Sequence, residues 1–384
     1  MTYRVNTTIP CGNAGDIMIE ERRERTRVSF AADPHENGIQ TIWFNLRIER
    51  CGEARPLTLV LKHVDNMLVD LSRLELFRPV TRRDGGSWER LPAPRLEPLP
   101  DGRMELAWDV TPPAEWLEVA IGTPYGMEQL EALVTDCDGY WSKDVIGLSM
   151  GGKQMVRLAN EYGTVDGDRP GIYLSARCHA NETQGSWVLD AVLRRLYARR
   201  HEAPLVWVIP FVNTDCVLDG DTGKDMYPWD MNRSFDPKAP TRHETLVIQR
   251  DARRWKTRCL PALCIDFHGW VSMSANGIYG IPTVPHESHS PTATWEQLEW
   301  MRAIRAAVGD EYCEQQFAWF PCWQTPWDGG WWLSRFLAVE TGAPAMVFEL
   351  PDTYVRDRML SQEDYIVIGS RFGDAIIDRL NAIV

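Results

Sequence analysis

The chain has 384 residues, a formal net charge of −13 and a pI near 5.2, an acidic balance that argues against nucleic acid as its main partner, since phosphate binding needs a basic footprint. Hydrophobic residues make up 44% and charged residues 25%, as in an ordinary soluble globular protein, and this length suits about two domains. Nine cysteines, an odd number without Cys-x-x-Cys spacing, fit buried reduced thiols rather than a disulfide framework or a cysteine zinc site.

The N-terminus, Met-Thr-Tyr-Arg-Val-Asn, shows no basic segment followed by an apolar stretch. No secretory signal is expected, and a cytoplasmic location follows by default. No run approaches a membrane span in length, so no membrane partner is expected. From about Asp16 to Thr135 the pattern is β-like. Gln40–Glu49 alternates from Phe44 on, and Pro56–His63, Met104–Val110 and Trp116–Gly122 supply further short strands. Asp84-Gly85-Gly86 and Asp101-Gly102 separate them as turns, and Pro112-Pro113 marks an edge or turn. This predicts an antiparallel β-sandwich domain over residues 1–135. Residues 136–168, broken by Gly and Asp, read as a boundary into a second domain spanning 136–384.

After Pro170 strands alternate with helices. Strands are predicted at Gly171–Ala176, Pro204–Val212, Ala262–Phe267, Asn276–Ile281 and Pro344–Leu350, and helices at about 185–200, 242–257, 292–308 and 362–382. The whole is an α/β chain whose second part is a mixed, mainly parallel sheet covered by helices on both faces.

Four segments after these strands carry apt chemistry. His179 and Glu182 sit in the loop after Ala176, where open α/β sheets place their ligands. Both can turn toward one point, as two ligands of a catalytic zinc would need. The loop after Val212 contains Lys224, then Asp230-Met231-Asn232-Arg233. Arg233 offers a fork suited to a carboxylate, Asn232 a side-chain donor, and Asp230 an acceptor for a metal-ligating imidazole. Alternatively, Asp230 and Arg233 simply tie that loop to itself. His268, followed by Gly269, ends the third strand, and Glu349 closes the fourth between Phe348 and Leu350. An apolar setting raises a carboxyl pKa and suits a general base.

His179-x-x-Glu182, Asp230-x-Asn232-Arg233, Asp266-Phe267-His268-Gly269 and Phe348-Glu349, in this order, resemble the motif set of the zinc metallocarboxypeptidases related to carboxypeptidase A. Ala176-Arg177-Cys178-His179, the preceding sandwich, and the segments Ile42–Arg47 and Phe77–Val80 look most like the cytosolic carboxypeptidase branch. The resemblance implies that His179, Glu182 and His268 bind zinc, that Glu349 is the general base, that Asn232 and Arg233 hold the substrate's terminal carboxylate, and that Asp230 orients His179. The implied substrate is a peptide or protein C-terminus.

Two departures matter. The branch carries an Arg upstream of the Asn-Arg pair to stabilise the oxyanion, where this chain offers Lys224. It also places a Tyr on the loop before the catalytic Glu, whereas Phe320–Trp332 contains none and is rich in Trp. Lys224 reads either as the oxyanion donor or as a solvated loop residue paired with Asp221 or Asp225. His286 and His289 read as loop surface. Two other functions stay open. His-Ala-Asn-Glu is equally like the His-Gly-Asn-Glu of zinc amidohydrolases that deacylate N-acyl amino acids, such as aspartoacylase and succinylglutamate desuccinylase. A non-catalytic binding protein built on the sandwich is the third reading.

Overall fold

The computed structural model describes residues 2–34, 40–67, 71–226, 229–269, 277–283, 291–318 and 330–383. His286, His289 and most of the Phe320–Trp332 loop lie outside them.

The N-terminal strands form two five-stranded sheets. One runs Tyr3–Asn6, Asn45–Arg50, Trp116–Ala120, Val80–Arg83, Glu89–Arg90, and the other Gly15–Glu21, Thr26–Ala31, Leu57–Leu61, Met104–Val110, Arg95–Pro98. Alternation decides which side faces in: Leu46 and Ile48 are buried, while Arg47 reaches outward to Glu118. The inward residues of both sheets merge into one cluster, in which the Phe30 and Phe44 rings lie 5.3 Å apart and Phe77 and Trp108 6.3 Å apart. Every pairing is antiparallel except that of Thr26–Ala31 with Leu57–Leu61.

The junction differs from the sequence expectation. Residues 127–136 form a helix, Met127–Asp136, whose Leu130 and Leu133 enter the second core. The stretch read as a boundary supplies two strands, Ser142–Leu148 and Gln154–Ala159. These strands were hidden because the outer one is a sheet edge, where polar Ser142, Lys143 and Asp144 precede the exposed Val145 and Leu148 and no apolar run forms.

The large sheet has eight strands in the order Ser142–Leu148, Gln154–Ala159, Leu205–Ile209, Pro170–Ala176, Leu260–Gly269, Ala345–Leu350, Ile278–Pro282, Cys313–Ala318. Its centre, from Leu205–Ile209 to Ala345–Leu350, is parallel. These strands are apolar on both faces because helices cover both. Ile172, Leu174 and Ile265 meet helices Thr183–Ala198, Pro291–Val308 and Gln362–Ile383, while Tyr173, Trp207 and Cys264 meet His243–Lys256 and Leu333–Thr341. Helix Thr183–Ala198 lies so close to Gln362–Ile383 that a Cβ on Gly369 would come 2.3 Å from the Val188 carbonyl oxygen. The short helices Thr214–Asp219 and Leu333–Thr341 were not anticipated from the sequence. Among the described residues no helix is long and apolar enough to cross a membrane.

The N-terminal sheets touch the segments that carry the candidate site. Backbone amides of Ile42 and Trp43 donate to the buried Thr222 hydroxyl at 2.8 and 3.0 Å. Arg90 donates to the carbonyls of Leu360, at 3.0 Å, and Asp352, beyond the Glu349 strand.

Candidate active site

Strand Pro170–Ala176 ends in the centre of the sheet, and the chain turns at Arg177 with φ of 66°. His179 follows in the loop, and Glu182 takes the N-cap position of helix Thr183–Ala198. The Glu182 side chain makes no cap bond; its two oxygens lie 2.7 Å from His179 Nδ1 and 2.9 Å from His268 Nδ1. One carboxylate thus joins two imidazoles whose rings are 4.9 Å apart, and the three ligand atoms lie within 4.8 Å of one another. A helix N-terminus favours negative charge there. His268 is still within strand Leu260–Gly269, and the Gly after it provides space rather than a turn. A Cβ on Gly269 would come 2.0 Å from Gln184 Nε2.

The outward nitrogens face other carboxylates. His179 Nε2 is 3.3 Å from Asp230, and His268 Nε2 is 2.9 Å from Asp266 Oδ2. Asp230 is itself held by the amides of Asn232 and Asp225 at 2.7 and 2.8 Å, and Asp266 by the Ser175 hydroxyl at 2.8 Å and the Cys178 thiol at 3.5 Å. Burial alone would push His268 down, yet the charges of Asp266 and Glu182 hold it well above the usual imidazole value. Burial likewise opposes ionisation of Glu182, but His179 and His268 hold it well below the ordinary carboxylate range. This arrangement fits a divalent cation. Carboxylates that anchor the Nε2 protons leave both Nδ1 atoms to face the third ligand, as at carboxylate–histidine–metal sites. A second group, Cys178, Asp266 and His268, shares His268 and lies behind it. Burial pushes the Cys178 thiol far up, so it serves as a donor to Asp266 rather than as a thiolate.

Glu349 lies beside His268 because their Cα atoms pair across adjacent parallel strands, with Tyr279 opposite on the next strand. Burial raises its pKa above the ordinary value, against the charges of His268 and Lys224. Lys224 lies in the loop that follows helix Thr214–Asp219. Its loop is tied in: Asn181 N donates to Thr222 O at 3.0 Å, and a Cβ on Gly223, whose φ is 70°, would come 2.8 Å from Ala180. Asn232 Nδ2 is 3.4 Å from His268 Nε2, while its Oδ1 accepts from Leu333 N at 3.2 Å. Since that Nε2 proton is taken by Asp266, the approach is a contact rather than a hydrogen bond. Arg233 is half-buried, donates to the Asn232 carbonyl at 2.8 Å and lies 5.9 Å from the Trp332 ring centre.

The structure therefore brings His179, Glu182, His268, Asp230, Lys224, Glu349 and Asn232 to one sheet edge, with Arg233 at its margin. Sequence reasoning assigned no role to Asp266 or Arg177. Asp266 could have been found from its i, i+2 spacing to His268, which puts both on one strand face. Arg177 was an isolated charge entering an otherwise buried loop. Burial pulls its guanidinium down to about 10.

Residues 168–353 match the profile of the Succinylglutamate desuccinylase/Aspartoacylase catalytic domain. Cytosolic carboxypeptidase 1 of Homo sapiens is 27% identical over 137 residues, 33% of this chain and 11% of that protein. The Gallus gallus protein is 30% identical over 110 residues, 27% and 9% respectively. The matched region thus spans about a tenth of those relatives' length. The metallo-carboxypeptidase of Burkholderia cenocepacia superposes over 100% of both chains with a TM-score of 0.78 at 16% identity. The metallo-carboxypeptidase of Pseudomonas aeruginosa in complex with (2-guanidinoethylmercapto)succinic acid superposes over 99% of this chain and 100% of that one, with a TM-score of 0.74 at 15% identity. Over its whole length the chain therefore shares the fold of these metallo-carboxypeptidases, and about a third of it is similar in sequence to cytosolic carboxypeptidase 1.

Proposed function

We propose that this protein is a zinc-dependent metallocarboxypeptidase that hydrolyses the C-terminal peptide or isopeptide bond of a peptide or protein. The observation that carries the reading is the single carboxylate, Glu182, joining the Nδ1 atoms of His179 and His268, with Glu349 in register beside His268. Zinc held by His179, Glu182 and His268 would supply a Lewis acid that acidifies water and polarises the scissile carbonyl. Glu349 takes the proton from the attacking water as the new C–O bond forms. It then delivers that proton to the amine nitrogen as the C–N bond breaks. Lys224 offsets the negative charge that develops on the former carbonyl oxygen. Asn232 and Arg233 hold the substrate's terminal carboxylate, Arg233 exchanging its bond to the Asn232 carbonyl for the stronger charge-assisted pair.

A second reading, deacylation of an N-acyl amino acid, is favoured by the profile match over residues 168–353. The ligand set and base serve either amide. Metal analysis of the purified protein, followed by a mass-spectrometric screen of free-carboxylate peptides against N-acyl amino acids, separates the two. Loss of C-terminal residues from peptides supports the carboxypeptidase. Turnover confined to N-acyl amino acids refutes it.

A further inference from the structure

Arg177 is a buried charge whose hydrogen-bond partners are all neutral, although the charge of Glu182 also acts on it. It is 1% exposed, and among the described residues its guanidinium meets only neutral acceptors. Nε donates to the Ala180 carbonyl at 2.7 Å and Nη2 donates to the same oxygen. Nη1 donates to the Tyr125 carbonyl at 3.0 Å and to Ser186 Oγ at 3.2 Å. A buried charge that hydrogen-bonds only neutral groups is costly, and an apolar side chain of similar volume would fill the space without that desolvation. What such a side chain lacks is the planar fork.

The fork grips the loop that holds two of the three candidate ligands. Ala180 follows His179, Ser186 lies in the first turn of the helix that Glu182 begins, and Tyr125 precedes helix Met127–Asp136. Arg177 is a non-glycine residue with φ of 66°, a conformation that persists only where surroundings over-determine it. Those surroundings are present. The Arg177 carbonyl accepts from Asn213 N at 3.0 Å and the Ala176 carbonyl from Val212 N at 3.0 Å, so the neighbouring strand exit braces the turn while the side chain reaches forward over the loop. Residues 177–186 thus close around one guanidinium.

We propose that Arg177 is a positioning residue for the candidate metal site, fixing the Ala180 carbonyl and the start of the Glu182 helix so that His179 and Glu182 present their ligand atoms to one point. The inference rests on the metal reading above.

The test is zinc affinity, measured by competition with a chelator, and needs no turnover. Arg177→Met should bind zinc on the order of 10- to 100-fold more weakly, the range for lost partners of metal ligands. Arg177→Lys keeps the charge but grips with a point donor, and should lose about 10-fold. Ser186→Ala, which removes one neutral contact of the fork and keeps the protein testable if Arg177→Met does not fold, should lose severalfold. Leu196→Ala, buried in the same helix far from the loop, destabilises the fold without touching the fork and should leave affinity unchanged. The proposal is overturned if Arg177→Lys and Ser186→Ala bind zinc within about twofold of wild type, or if Leu196→Ala weakens binding as much as Arg177→Lys. A wild-type protein that binds no zinc instead refutes the metal reading itself.

Discussion

Replacing Asp266 by Asn should weaken zinc binding by about 10- to 100-fold, or roughly 1.4 to 2.7 kcal/mol. Asp266 is fully buried and accepts from His268 Nε2 at 2.9 Å, Ser175 Oγ at 2.8 Å and Cys178 Sγ at 3.5 Å. An Asn side chain has the same shape but one acceptor oxygen. Its amide NH2 can face Ser175, whose hydroxyl also lies 3.4 Å from the Ile265 carbonyl and can turn to donate there. The remaining oxygen then still receives the His268 proton, so the ring keeps its orientation. What is lost is the negative charge behind the imidazole, which makes Nδ1 a weaker donor. A chelator-competition titration measures this directly. An Asp266→Asn protein that binds zinc within about twofold of wild type would show that the carboxylate does not tune His268.

Glu349→Gln should retain metal and fold but lose turnover by on the order of 10² to 10⁴, since the amide cannot accept a proton; single-turnover assays with the zinc-loaded protein check it. Lys224→Ala should lower kcat by about 10² to 10³ with zinc retained, and Lys224→Arg should recover part of it. If Arg233 holds the substrate's carboxylate as proposed, a peptide carrying a C-terminal amide should resist cleavage where the free acid is cut, and equal rates for both would remove Arg233 from that role. Asp352 tests pH linkage away from the metal site. Burial raises its pKa despite the Arg90 guanidinium 3.9 Å away and a side chain still 12% exposed. The native state then binds more protons than the unfolded chain between the ordinary carboxylate value and the raised one, so this contribution to stability falls as pH rises through that window. Asp352→Asn should flatten that slope in thermal melts across acidic pH, and an unchanged slope would contradict the shift.

The alternation of apolar strand and amphipathic helix after Pro170 was legible because a central parallel strand needs both faces apolar, which leaves runs such as Leu205–Ile209 in plain view. His179, Glu182, His268 and Glu349 were legible for the same reason, as ionisable groups at the ends of such runs. Met127–Asp136 and the edge strands escaped notice because a short helix and a half-exposed strand carry too few apolar positions for their period to stand out. Whether the candidates share one centre was a matter of register alone. Pairing of His268 with Glu349, and of Ser175 with Asp266, sets Glu349 and the buried Asp266 carboxylate beside the candidate ligands. No spacing along the chain contains that information, because a one-residue slip of either strand would turn those side chains to the opposite face. Arg177 is the extreme case: its partners are two backbone carbonyls and a hydroxyl, groups that any residues could have supplied, brought to one guanidinium only by the way the loop folds.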